Sequence, residues 1–268
     1  FQGTLSFFIL TSFENNFGTF LENTTMKEEA ITFPIRLNRY LALKGVATRR
    51  RADEIIKAGK VKLNGKKAVL GDRLMSEEDL VEVFESKKEA SGEFSYVAYY
   101  KPRGIVTSLP EEGQKSIQDV SGFPNLTPMG RLDKSSEGLI LLTDDGRVTD
   151  RLLHPRHAHE KEYIVMVRER ILTFVQPLME KGIESEGEML TAKKVTVING
   201  HTLNIVLTEG KKHQIRRMLA AANLTVEKLL RVRVMGLHLG SLKPGQARVL
   251  DTKAKKRFLE EIGLSLDI

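Results

Sequence analysis

The residues best placed for chemistry in this chain lie in the run Gly130-Arg131-Leu132-Asp133-Lys134-Ser135-Ser136-Glu137-Gly138. Asp133 stands between an arginine and a lysine, in a glycine-bounded loop that runs into the apolar stretch Leu139-Ile140-Leu141-Leu142-Thr143. That is a charged group on a rigid support, and such a carboxylate can act as a nucleophile. Aspartate also bonds its own backbone in turns, so an arbitrary Arg-x-Asp reads first as a turn. Two further clusters invite chemistry. His154, His157 and His159 have the imidazoles of a zinc site, but no cysteine or matching carboxylate pattern accompanies them. Pro155 and Arg156 among them describe a cationic loop instead. Lys211, Lys212, His213, Arg216 and Arg217 crowd a helical pattern whose apolar members are Ile215, Met218, Leu219 and Ala222.

The elements that must position these groups are legible in part. With 268 residues the chain is long enough for two domains. Its net charge of +7 is concentrated: residues 35–75 hold 12 Lys and Arg against 3 Asp and Glu, which leaves 30 against 32 for the rest. A polyanion-binding module in that segment follows. Cysteine is absent, which excludes disulfides and thiolate metal sites and fits a reducing, cytoplasmic setting. No apolar run approaches the roughly 20 residues of a membrane helix.

Residues 1–25 hold six of the twelve phenylalanines and no lysine or arginine. With the opening Phe1-Gln2-Gly3 they read as a tag-derived leader, with Met26 as the natural start. The leader as a whole covers 1–34, a basic domain 35–85, a polar linker 86–94 and a larger domain 95–268. In the basic domain Leu37, Tyr40 and Leu41 form a helix ending at Gly45. Ala52, Ile55 and Ile56 form a second, capped by Thr48 and closed by Gly59. The second helix opens on Arg49-Arg50-Arg51; cations there oppose the macrodipole, which points to a bound phosphate. Asn64-Gly65 between Val61-Lys62-Leu63 and Lys66-Lys67 signals a type I′ hairpin.

In the larger domain, residues 96–100, 139–143, 161–167, 195–197 and 203–207 read as strands. A helix follows Asp144-Asp145 with Val148, Leu152 and Leu153 on its apolar face. Residues 108–125 read as loop with one helical turn near Ile117 to Val120 and no chemistry. The helix at 209–219 presents His213, Arg216 and Arg217 opposite its buried stripe.

Several of these strings resemble a known family. Gly-Arg-Leu-Asp followed by Gly-Leu-x-Leu-x-Thr-x-Asp-Gly is similar to the active-site motif of the pseudouridine synthases, in the branch that modifies ribosomal RNA behind an S4 domain. Arg-Leu-Asn-Arg-Tyr-Leu, Arg-Arg-Arg-Ala-Asp-Glu-Ile-Ile and Gly-Lys-Val-Lys-Leu-Asn-Gly resemble the S4 domain. Lys101-Pro102-Arg103-Gly104, Lys161-x-Tyr163, Glu-Gly-x-x-His-Gln-Ile-Arg-Arg-Met and Leu242 to Arg248 resemble further family features. The resemblance implies an α+β chain, with a small S4-like domain followed by a synthase domain on a mostly antiparallel mixed sheet flanked by helices. It implies Asp133, Tyr163 and Arg216 as catalytic residues, the arginine pairing with the aspartate, and Arg131, Lys161 and Leu237 in support. RNA contacts would fall to Arg36, Arg39, Arg49, Arg50, Arg51, Lys57, Lys211, Lys212 and Arg217. The reaction involves no net redox change, so no cofactor or metal is expected. The partner is ribosomal RNA or an assembly intermediate, bound by a monomer, and the Gln-Ile-Arg-Arg-Met wording leans toward the large subunit. A catalytically inactive ribosome-binding factor is the alternative. A glycoside hydrolase would require a second carboxylate, for which only Glu137 is at hand.

Overall fold

A computed structural model describes residues 8–10, 31–44, 46–47, 49–84, 94–153 and 157–264. They fall into two compact units, one ending at Phe94 and including Asp145–Arg147, the other holding Ser95–Asp144 and the residues from Val148 onward. Among the described residues no helix is long and apolar enough to cross a membrane.

In the first unit, strand β1 (Phe8–Leu10) and the short β2 (Ile35–Arg36) precede helices α1 (Leu37–Leu43) and α2 (Arg49–Lys57). The helical spacing of Leu37, Tyr40 and Leu41, and of Ala52, Ile55 and Ile56, places all six in one core with Val61, Leu74 and Val81. Strands β3 (Val61–Leu63) and β4 (Lys66–Lys67) form the expected hairpin. Asn64 and Gly65 have φ of 51° and 75°, the two positive values that a type I′ turn requires. The Asn64 amide donates to Asp79 at 2.8 Å, and its oxygen accepts from the Leu80 amide. A short β5 (Arg73–Leu74) pairs with β2, and β6 (Val81–Val83) lies beside β3.

The other edge of β6 is taken by β1, with Ile9 opposite Glu82. The expectation of a leader apart from the fold therefore does not extend to Phe8–Leu10. An open strand edge offers unpaired N–H and C=O groups to any extended segment. The rest of residues 1–25, Gly45, Thr48 and the linker at 86–92 lie outside the described residues.

The second unit is built on a nine-stranded sheet. Its strands are β7 (Tyr96–Lys101), β8 (Thr127–Met129), β9 (Glu137–Thr143), β10 (Lys161–Val167), β13 (Lys194–Asn199), β14 (Thr202–Leu207), β15 (Val226–Val234), β16 (Leu237–His238) and β17 (Ala247–Val249). The order is β13-β14-β10-β15-β9-β7-β17, with β16 on β15 and β8 on β9. Only the β15/β9 pairing is parallel, so the sheet is mixed but mostly antiparallel. Every residue of β7 and β9 is buried, which explains their unbroken apolar text. A separate hairpin joins β11 (Ile183–Ser185) to β12 (Glu188–Leu190).

The helices of this unit are α3 (Ile117–Val120), α4 (Arg147–Leu153), α5 (Val175–Lys181), α6 (Gln214–Ala221) and α7 (Thr252–Glu261). α3 is the expected single turn, closed by a capping box of Ser116 and Asp119. Asp145 accepts from the Arg147 amide at 3.0 Å ahead of α4, which buries Val148 and Leu152 but leaves Leu153 exposed. α6 buries Ile215, Met218 and Leu219 against β-strand residues Val165, Leu203 and Ile205. It begins at Gln214, five residues later than the sequence pattern suggests. Gln214 is buried, donates to Glu209 and to the Thr191 carbonyl, and accepts from the Lys211 amide, so residues 209–213 form a clamped turn.

Candidate active site

The loop that carries Asp133 is fixed carbonyl by carbonyl. The Arg131 oxygen accepts from Arg231 Nη1 at 3.4 Å, the Leu132 oxygen from Thr107 Oγ1 at 2.8 Å and the Asp133 oxygen from the Ser136 amide at 3.0 Å. The Lys134 oxygen accepts from the Gly104 amide at 2.7 Å, the Ser135 oxygen from Arg216 Nη2 at 3.3 Å and the Ser136 oxygen from Lys101 Nζ at 2.7 Å. Five of these donors come from outside the loop. A loop with every acceptor engaged has few alternative conformations, which is what a pre-positioned carboxylate requires. Thr107 makes the tie reciprocal, because its hydroxyl also accepts from the Leu132 amide. Gly138 makes room beneath: φ of +113° and direct opposition to Arg231 bring the β9 and β15 backbones together.

Above this loop lies an open cleft of about 470 Å³. Asp133 is the only carboxylate among its lining residues, which include Arg131, Lys134, Lys211, Lys212, His213 and Arg216. His213 Nε2 stands 3.5 Å from Asp133 Oδ1. It gets there because its backbone is left-handed, φ +52°, immediately before α6. Arg216 acts differently from the expected direct pair. Its Nη2 bonds the Ser135 oxygen and Ser136 Oγ, each at 3.3 Å, and it feels the Asp133 charge through space. Burial pulls its guanidinium below its ordinary value, while attraction to Asp133 opposes and repulsion from Arg103 assists. Tyr163, on β10, is buried in the wall beside Leu132 and also faces the cleft.

Other expected residues lie elsewhere. Leu237 is not in this cleft; it lines a separate cavity with Phe258 of α7, while Leu229 on β15 lines the Asp133 cleft together with Leu109, Leu132 and Leu207. The alternating text around β15 offers both, and only the register of the sheet decides. Arg217 is committed to the β11/β12 hairpin, bonding Glu188 at 2.6 Å and the Ser185 carbonyl, with its side chain 12% exposed. Lys161 bonds the His159 carbonyl at 3.0 Å and is held below the usual lysine value by burial and by Arg231. Lys211 bonds the Met189 carbonyl, and both it and Lys212 line the cleft. In the first unit Arg36, Arg39, Arg49, Arg50, Arg51 and Lys57 are all exposed.

His159 Nε2 lies 2.7 Å from the Arg151 carbonyl and its ring stacks on His157, whereas His154 lies outside the described residues. Glu137 is spoken for: Tyr100 donates to it at 2.9 Å, Lys228 lies at 3.4 Å, and it does not line the cleft. Burial and that carboxylate push Tyr100 up to about 12. A two-carboxylate glycosidase arrangement is therefore not what surrounds Asp133.

The model of the RNA pseudouridylate synthase family matches residues 95–221, and that of the S4 domain matches residues 35–80. An uncharacterized RNA pseudouridine synthase of Aquifex aeolicus is 33% identical over 239 residues, covering 86% of this chain and 96% of that protein. The chain belongs to the RNA pseudouridine synthases. The dual-specificity RNA pseudouridine synthase RluF of Escherichia coli K12 is 36% identical over 220 residues, which is 81% of this chain and 75% of the relative. A crystal structure of a pseudouridylate synthase superposes with a TM-score of 0.61 at 29% identity, over 85% of this chain and 99% of the other.

In this synthase the Asp133 loop rests on a buried ammonium, that of Lys101 in the Lys-Pro-x-Gly string. Lys101 is 0% exposed and bonds the Ser136 and Pro102 carbonyls. Burial drives its pKa from 10.5 down to about 8; Asp133 opposes this, Arg231 assists and Glu137 opposes. The unfolded chain keeps this proton up to about pH 10.5 while the folded chain loses it from about pH 8. Between those values the unfolded state binds more protons, so stability rises with pH; below the window both states are protonated and the folded one bears the full burial cost. Urea unfolding at about pH 7.5 and about pH 10 should give wild type a gain of about 2 to 3 kcal/mol over Lys101→Met across the interval. Parallel profiles for the two proteins would show that Lys101 does not carry this burden.

Proposed function

We propose that this synthase isomerises a specific uridine in ribosomal RNA, of the large subunit, with Asp133 as the nucleophile. The observation that carries the reading is a single carboxylate, on a fully hydrogen-bonded loop, in a cleft that also holds Arg131, Lys134, Lys211, Lys212 and Arg216. Pseudouridine formation breaks the bond from uracil N1 to ribose C1′, turns the base, joins C5 to C1′, moves the C5 proton away and returns one to N1. Atoms and electrons balance within the nucleoside, so no cofactor enters. Asp133 attacks the sugar or the base, or holds the glycosyl cation; all three require one ionised carboxylate. Arg216 supplies the opposing charge, and His213 Nε2 lies 3.5 Å from the carboxylate. Tyr163 stacks on the uracil and relays the C5 proton. Arg131, Lys134 and Lys212 take the flanking phosphates. An inactive binding factor would have no use for a carboxylate held in this way. Unmodified large- and small-subunit RNA transcripts labelled with 5-tritiated uridine provide the test, with no cofactor added. One equivalent of tritium released from the large-subunit RNA alone is expected; release from the small-subunit RNA alone would reverse the subunit assignment.

The S4 unit docks the RNA through α2, whose first turn is Arg49, Arg50 and Arg51 with no acidic residue. Changing all three to Ala should weaken binding and flatten its salt dependence, each lost phosphate contact removing about 0.7 to 0.9 from the log–log slope. Turnover at saturating RNA should change little, since these cations serve ground and transition states equally. Affinity at several salt concentrations together with single-turnover rates checks both halves. An unchanged slope would make the triplet a solvated surface, and a collapsed saturated rate would give the S4 unit a part in positioning the uridine.

A further inference from the structure

Next to the Asp133 cleft lies a second open hollow of about 480 Å³, and Arg216 lines both. The rest of its lining comes from the end of α6 and the chain leading into β15: Ala220, Asn223, Leu224, Thr225 and Val226. Three of these are apolar, with Leu224 buried and Val226 half-buried. The Thr225 hydroxyl is committed, donating to Glu169 at 2.9 Å. Asn223 is not. Its backbone amide closes the helix on the Ala220 carbonyl, but its exposed carboxamide has no hydrogen-bond partner among the described residues. Its φ of +58° is the left-handed conformation in which helices commonly end. Glycine adopts that backbone at no steric cost and is the more usual residue there, so the fold alone does not call for a carboxamide.

We propose that this hollow takes the nucleobase next to the target uridine in the RNA chain, and that Asn223 reads it as adenine. The proposal rests on the reading that the Asp133 cleft holds a uridine of RNA. A nucleobase has apolar faces and a polar edge, which suits an apolar lining with one unpaired carboxamide. Arg216 is the wall common to the two spaces, so a base in the hollow belongs to the nucleotide adjoining the one in the cleft. Guanidinium planes are among the surfaces on which unstacked RNA bases stack. A carboxamide offers one donor and one acceptor side by side, and asparagine pairs bidentately with adenine for that reason. Adenine presents the complementary pair on its Hoogsteen edge and again on its Watson–Crick edge, whereas the Hoogsteen edge of guanine has acceptors alone. The cations of the cleft hold phosphates, and phosphate contacts carry no base preference.

The test starts from the ribosomal RNA hairpin on which wild type releases tritium. The nucleotide on the 5′ side of its target, and then the one on the 3′ side, is set to each of the four bases or to an abasic site. Single-turnover rates and half-saturating RNA concentrations are measured for wild type, Asn223→Gly and Asn223→Asp. At one of the two positions wild type should favour adenine about tenfold over the other bases and the abasic site. Asn223→Gly, which suits the left-handed backbone, should melt like wild type and lose that preference. The loss should fall on the half-saturating concentration and spare the saturated rate, because the contact serves ground and transition states equally. Asn223→Asp has acceptors only and should shift the preference to guanine, whose Watson–Crick edge presents two donors; an asparagine that merely ends a helix would give no such shift. Wild-type rates indifferent to both neighbours, or a preference unchanged in the two variants, would overturn the subsite alone. Wild type without activity on any ribosomal RNA hairpin would overturn the functional reading, and this proposal with it.

Discussion

Asp133→Asn is expected to reduce tritium release from 5-tritiated uridine RNA by about four orders of magnitude or more, the scale seen when a covalent nucleophile is removed. The amide keeps the side chain's size and leaves the loop's six carbonyl bonds untouched, because these use backbone oxygens and none uses the carboxylate. Stability and RNA affinity should therefore stay close to wild type. Turnover near the wild-type rate would remove Asp133 from the mechanism.

The largest effect on stability is expected from Gly138→Ala. A β-carbon at this position would lie within 2.6 Å of the Arg231 amide nitrogen and closer still to its carbonyl oxygen, on a backbone whose φ of +113° already excludes it. The strained backbone and the overpacked strand pair together should cost about 3 to 5 kcal/mol. Activity should fall as well, since Arg231 is held in place by this close approach and bonds both Leu139 and Arg131. Gly130→Ala is the control: its φ is +80° but the nearest atom outside its own chain neighbours, Leu153 Cδ2, lies at an ordinary 3.5 Å. It should cost only the backbone share, about 1 to 2 kcal/mol. Equal melting temperatures for the two variants would mean that the close approach of β9 and β15 does not matter.

What the sequence made legible was local. The helices of the S4 unit follow from apolar residues at helical spacing, and its hairpin from Asn64-Gly65, whose positive φ values a single dipeptide encodes. The stripe of α6 and the buried runs of β7 and β9 were equally plain. The support of Asp133 was not, because its donors Lys101, Gly104, Thr107, Arg216 and Arg231 come from three stretches far apart in the chain, 101–107, α6 and β15. A buried arginine or lysine inside an apolar strand, as Arg231 and Lys101 are, was the signal available. The place of His213 beside Asp133 was hidden because a histidine in a helix-like string gives no sign of a left-handed backbone. Arg216 and Arg217 part company for a simple reason: one step along a helix turns the side chain by about 100°, so adjacent arginines meet different neighbours. That Leu229 lines the Asp133 cleft and Leu237 a separate cavity follows from the register of the sheet, including a shift between β10 and β15 at Glu162/Tyr163 that is visible only in three dimensions.

The most direct test of the central claim is a map of pseudouridines in ribosomal RNA by carbodiimide-dependent reverse-transcription stops. It is to be made in cells lacking the gene and complemented with either wild type or Asp133→Asn. A stop in large-subunit RNA that is lost with the gene, restored by wild type and not restored by Asp133→Asn is the expected result. Restoration by Asp133→Asn, or maps that are identical with and without the gene, would contradict it.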